Sequence, residues 1–315
     1  MSVFEPFGDI DEISVRLADP DPAVRRVAVI DLGETANPKA VAHLSSALSD
    51  QTAEVRRQAA VALGEFDGLD SATALAGALE DVDPSVADAA AASLAEHKSQ
   101  EVAPRLLPLV RHPGAFVRAS ALRALKGLRL PEALGPAVGA LGDEDPQVRV
   151  QAIGVIGYLK VESALRSLIG ASRDADAEVR RAAVGALGFS RLPHAAEAVA
   201  AALGDAEWQV REIAAETIGK IGCLAATQQL MAVLDDAHWP VRQKAARSLG
   251  KLRVREAVPV IAALLDHPMS NLRKEAAAAL GEIADPAALP HLEAHSDDSD
   301  PDVRRNVRWA ISRIG

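Results

Sequence analysis

His291 and His295 stand four residues apart, a spacing that puts two imidazoles on one face of a helix, and Asp297 and Asp298 come just after. Zinc takes ligands of these types. A hydrolytic zinc helix also carries a glutamate directly after its first histidine, and Leu292 stands there instead. Cys223 is the only thiol of the chain. A catalytic cysteine needs a base nearby, and none is apparent beside it in the sequence. Gly154 and Gly157 fall inside a helical pattern, so they are not read as a phosphate cradle. No catalytic residue, metal site or cofactor site is expected, and the chain is read as not being an enzyme.

Arginine is the chemically versatile residue whose spacing stands out. A Val-Arg pair recurs at Val24-Arg25, Val55-Arg56, Val117-Arg118, Val148-Arg149, Val179-Arg180, Val210-Arg211, Val241-Arg242 and Val303-Arg304. Val86-Ala87 and Leu272-Arg273 occupy the two remaining registers, and the period is 31 residues throughout. Such a row could hold phosphates. Its angular position argues against that. With the valine as position 0, apolar residues at +4, +5 and +8 complete one helical face, and +1 lies at about 100°, inside that face. An arginine aimed into packed apolar surface needs a partner there and is read as structural.

These positions imply the elements that carry them. Asp stands five residues before most valines, and His112 and His267 replace it twice. Asp-Pro before the valine, as in Asp83-Pro84, Asp145-Pro146 and Asp300-Pro301, suits a helix start. Leu or Ile stands eight residues after the valine and usually precedes a glycine, as at Gly33, Gly64, Gly219 and Gly250, which suits a helix near its end. A second amphipathic segment lies between, such as residues 40–48. Each repeat is therefore expected to be two antiparallel helices. Ten repeats over residues 9–315 form a single solenoid, after an N-terminal extension at 1–8.

Asp, then Val-Arg, then Leu-Gly resembles the HEAT repeat. The 31-residue form is similar to the short HEAT-like repeats of phycobilin lyases and to designed α-helical repeat proteins. The resemblance implies an all-α, right-handed solenoid in which the arginine bonds a loop aspartate and the second helices line the concave surface. It also implies two functions, a protein-binding scaffold or assembly factor, or else a subunit of a phycobilin lyase or related tetrapyrrole-handling protein. HEAT-type iron hydroxylases use His-Glu pairs, which this chain lacks. Repeat three departs most, with Ala87 for Arg and Ala95 for Gly.

On the second helix the positions opposite the apolar arc are free to bind. All three tryptophans and the only tyrosine fall there or next to it, with two phenylalanines: Phe116, Tyr158, Phe189, Trp208, Trp239 and Trp309. Aromatics on a solvent-facing stripe point to a contact surface. Phe116, Arg123, Val150, Tyr158, Arg181 and Phe189, set among small residues, read as an apolar trough with two cations. Trp208, Glu212, Trp239, Lys244, Arg247 and Lys251 read as a larger, charged patch able to grip a helix or an extended segment.

Charge narrows the partners. Net charge is −10, and residues 1–100 alone carry 18 acids against 7 bases. The stripe itself is nearly neutral, so nucleic acid is not expected. No apolar run reaches the ~18 residues of a membrane span. Met1–Pro6 shows neither a basic segment nor an apolar run, so no signal peptide is expected. A lone cysteine fits a cytoplasmic protein, either a monomer or part of a hetero-complex.

Overall fold

The computed structural model describes residues 10–315, and the expected extension at 1–8 lies outside them. Two compact units divide the chain after Leu159. The first holds α1 (Ile10–Val15), α2 (Pro22–Glu34), α3 (Ala40–Ala47), α4 (Ala53–Leu63), α5 (Leu69–Ala78), α6 (Pro84–Glu96), α7 (Ala103–Leu106), α8 (Ala115–Leu128), α9 (Leu134–Ala140) and α10 (Pro146–Leu159). The second holds α11 (Leu165–Ala171), α12 (Ala177–Ala186), α13 (Pro193–Ala201), α14 (Trp208–Ile221), α15 (Thr227–Ala232), α16 (Trp239–Lys251), α17 (Val258–Ala262), α18 (Ser270–Ile283), α19 (Leu289–Ala294) and α20 (Pro301–Ile314). No strand occurs among the described residues. Each unit is a row of five helical hairpins, and within each the even-numbered second helices pack neighbour on neighbour.

The 31-residue pattern becomes this stack through three local devices. Aspartates start helices: the side chains of Asp21, Asp83, Asp176 and Asp300 accept backbone N–H groups in the first turn, and proline opens α2, α6 and α20. The recurrent apolar positions form the core, where Val55, Val148, Val210, Val241, Leu63, Ile156 and Leu249 are buried. The first helices are short and run into 3₁₀ turns, as after α13, α15 and α17.

The third device is a ladder of ion pairs. Arg56 donates from Nε and Nη2 to both carboxylate oxygens of Asp81 at 2.7 and 2.9 Å, and from Nη1 to the Asp50 carbonyl of its own repeat. The same bidentate link joins Arg25 to Asp50 and Arg118 to Asp143 in the first unit. In the second unit it joins Arg180 to Asp205, Arg211 to Asp236 and Arg273 to Asp298. Each aspartate also accepts a loop N–H two residues on, for example Asp50 from Thr52 and Asp205 from Glu207. The arginine hydrogen bonds hold Asp50, Asp81, Asp143, Asp205 and Asp298 below the ordinary carboxylate range.

The two histidine substitutions have opposite consequences. At the joint between repeats three and four both partners change, so Ala87 leaves nothing unpaired. His112 accepts the Gly114 N–H at Nδ1, and its Nε2 lies 3.3 Å from Glu80. At the joint between repeats eight and nine only the acid changes. His267 accepts the Met269 N–H at Nδ1, which leaves the proton on Nε2 and no acceptor for Arg242. The Arg242 Nε is the one buried side-chain polar atom without a hydrogen-bond partner among the described residues. Burial, then Arg242 and Arg273, push His267 below its ordinary pKa.

Glycine after the leucine stands near the helix end, as expected, with Gly64 capping α4, and it also serves packing. Gly219, Gly250 and Gly281 lie within α14, α16 and α18. A Cβ on Gly250 would come within 2.8 Å of the Ala279 Cα, and one on Gly219 within 2.9 Å of the Ser248 Cα. Neighbouring second helices thus touch backbone to backbone at a glycine facing a small residue of the next repeat.

Two substitutions probe these devices. Gly250→Val is expected to destabilise the second unit by about 2–3 kcal/mol, because backbone rather than a side-chain tip must yield; denaturant titration measures this. His267→Asp supplies the missing acceptor and is expected to add roughly 1–2 kcal/mol. The unfolded chain protonates this histidine near pH 6.5 while the folded chain resists, so wild-type stability at this joint falls as pH drops below about 6.5. The variant should lose that part of the acid sensitivity, read as the difference between its melting curves and the wild type's at pH 7.5 and 5.5.

Candidate partner-binding face

The second helices of the second unit carry the densest set of unusual side chains. Trp208 and Trp239 are the first residues of α14 and α16, both half-buried. The Trp208 ring stacks on His238, with ring centroids 5.3 Å apart and planes 9° from parallel. His238 Nδ1 lies 3.4 Å from the ladder carboxylate Asp236, so the stack rests on the loop that the ladder fixes. Trp309 sits within α20 and is exposed.

Between these aromatics runs a charged mid-face. Lys244 on α16 pairs with Glu216 on α14, and Arg247 on α16 pairs with Glu275 on α18. The Arg247 pair is bidentate and its carboxylate is buried. Arg247 hydrogen bonding is also the main reason its own pKa is raised. Lys244 and Arg247 therefore cross-link neighbouring repeats. Lys251 ends α16 and Glu212 is half-buried on α14, and among the described residues neither side chain makes a hydrogen bond. Arg181 is held by Glu178 on its own helix at 2.8 Å.

In the first unit Phe116 lies in the first turn of α8 and Tyr158 in the last turn of α10. Both are more than two-fifths exposed. They occupy opposite ends of a parallel row of helices and do not share one trough. Arg123 is exposed, and Val150 is half-buried in α10. Ser120, on the same stretch of α8, is buried. Phe189 ends the 3₁₀ turn after α12, in the other unit.

The model for HEAT repeats matches residues 10–95, 71–139, 136–219 and 227–312. The chain belongs to the HEAT repeat family. A PBS lyase HEAT-like repeat matches residues 210–236, from the third residue of α14 through α15 to the ladder aspartate Asp236. No protein of curated function matches the chain. Among solved structures, it is similar to an engineered protein at 20% identity and TM-score 0.52, covering 98% of this chain and 99% of that one. It is also similar to a structure of Kap95p with RanGDP (18% identity, TM-score 0.66) and to importin beta (16%, 0.62). In both cases 98% of this chain aligns with 50% of the other, so the chain spans about half their length. These likenesses place the fold, an all-α HEAT solenoid.

Two HEAT-face residues escaped the sequence reading. Arg129, in the turn after α8 at φ 53°, lies 4.8 Å over the Tyr158 ring and donates to its hydroxyl at 3.2 Å. His238 is the other. Each contact joins side chains of adjacent repeats through positions that vary, and periodicity marks only positions that repeat. The histidine pair does not converge: His295 turns Nδ1 to the His291 carbonyl and Nε2 to Asp266. No cluster of three or more metal-ligating side chains occurs among the described residues. No helix among them is long and apolar enough to cross a membrane.

The stack predicts a spectroscopic outcome. In a chain carrying Trp239→Phe and Trp309→Phe, His238→Ala is expected to shift Trp208 emission to longer wavelength, because the ring loses its cover. An unchanged spectrum would contradict the stacked geometry.

Proposed function

We propose that this HEAT protein is a protein-binding scaffold or assembly factor, and that its partner lies along the second helices of the second unit. The observation that carries the reading is the placement of all three tryptophans. Core packing would bury them fully, yet Trp208 and Trp239 are half-buried at the starts of α14 and α16, at one end of a charged mid-face, and Trp309 is exposed. Large amphipathic rings on a rigid, ladder-braced surface are typical contact anchors. Lys251 and Glu212 add charge without internal bonds, whereas Lys244 and Arg247 set the shape of the face. Kap95p, to which this chain is similar in fold, engages RanGDP. The partner is a helix or an extended segment of another protein, and nucleic acid is not the proposed ligand. The proposed site of action is the cytoplasm.

Affinity purification with mass spectrometry compares the wild type with Trp208→Ala/Trp239→Ala. The double variant is expected to keep its helicity and lose its specific partner, with affinity reduced at least ten-fold once that partner is in hand. Equal recovery by both proteins would overturn the reading.

A tetrapyrrole-handling role has the single lyase-type repeat match in its favour. It requires a visible spectral change on mixing with a bilin, and an unchanged spectrum removes it.

A further inference from the structure

Two adjoining cavities lie along α13 and α15 in the second unit, the larger reaching Lys251 at the end of α16, where it borders the aromatic face. One has a volume of about 720 Å³ and the other about 570 Å³. Glu197, Ala200 and Gln229 line both, so they form one continuous slot. Its two ends differ. Arg191, Lys220 and Lys251 line the larger cavity, all exposed, and among the described residues none of their side chains is in a hydrogen bond or close ion pair. Glu216 on the neighbouring helix feels the charge of Lys251 but is paired with Lys244. The smaller cavity is walled by Ala201, Leu203, Gly204, Ala232 and Val233. Apart from Glu197 and Gln229, its lining is apolar.

We propose that this slot binds an amphipathic monoanion, a carboxylate on an unbranched apolar chain, with its head among Arg191, Lys220 and Lys251 and its tail between α13 and α15. Three cations against the single carboxylate of Glu197 leave a net attraction for one negative charge. The size of the larger cavity falls in the range of small-molecule sites. Nine residues of α13 rise about 13 Å, which matches an extended chain of about ten carbons. Small side chains leave the groove open: Ala196 and Ala200 of α13 on one side, Ala232 of α15 and Ala225 of the turn before it on the other. The head end carries apolar side chains as well, with Leu252 half-buried and Leu224 exposed.

Cys223 lines the head cavity and, as the only cysteine, reports on its occupancy. The experiment uses the full chain and decanoate below its micellar range, with decanol and octanoate as comparisons. Isothermal titration measures binding, and the rate of Cys223 alkylation by iodoacetamide measures its location. Decanoate is expected to bind saturably and to slow alkylation at least five-fold. Octanoate should bind about ten-fold more weakly, since each buried methylene contributes up to about four-fold. Decanol should bind at least ten-fold more weakly for want of charge. Lys220→Ala/Lys251→Ala should weaken decanoate at least ten-fold, and Ala200→Phe should abolish the difference between decanoate and octanoate, with helicity unchanged in both. No saturable heat with decanoate, equal binding of decanol, or binding that leaves Cys223 alkylation unaltered would each overturn the proposal.

Discussion

Six of the joints between hairpins rest on a guanidinium fork that spans two loops. The ladder arginine donates to the carbonyl of its own inter-repeat loop and, bidentately, to the aspartate of the next. That aspartate in turn holds its own loop through a backbone N–H. One side chain therefore fixes the end of one helix pair and the start of another. The charges are shielded enough that neither partner could be left alone cheaply, which is why arginine and aspartate change together at Ala87 and His112. Where they do not, at Arg242 and His267, a buried nitrogen goes without an acceptor.

The ladder also shapes the candidate surface. Its loops carry the residues that open the second helices, so Trp208, His238 and Trp239 are positioned by ladder geometry rather than by the apolar core. Farther along the same helices, close backbone approach at Gly219 and Gly250 sets the spacing at which Lys244 reaches Glu216 and Arg247 reaches Glu275. A surface braced this way loses little side-chain freedom on binding, which favours recognition by rigid contact. The α13–α15 slot draws on the same regularity, because the first helices are short and carry alanine where they face each other, and the ends of α14 and α16 complete its lining.

The amino-acid sequence alone determined the period, the two-helix unit, the apolar face and the structural part played by the arginines. Those features repeat every 31 residues, and repetition converts a weak local pattern into a strong one. It also marked the residues left out of the core, including all three tryptophans. Only the tertiary structure decided what those residues do. Whether Lys244 and Arg247 are free or cross-linked depends on acids 28 residues away on neighbouring helices. That Phe116 and Tyr158 stand at opposite ends of their row depends on where each helix begins and stops. The sequence placed the glycines near helix ends, where they stand, but their close approach to the backbone of the next helix is visible only in the packing. Contacts between repeats set these outcomes, and such contacts arise from packing at positions that do not recur.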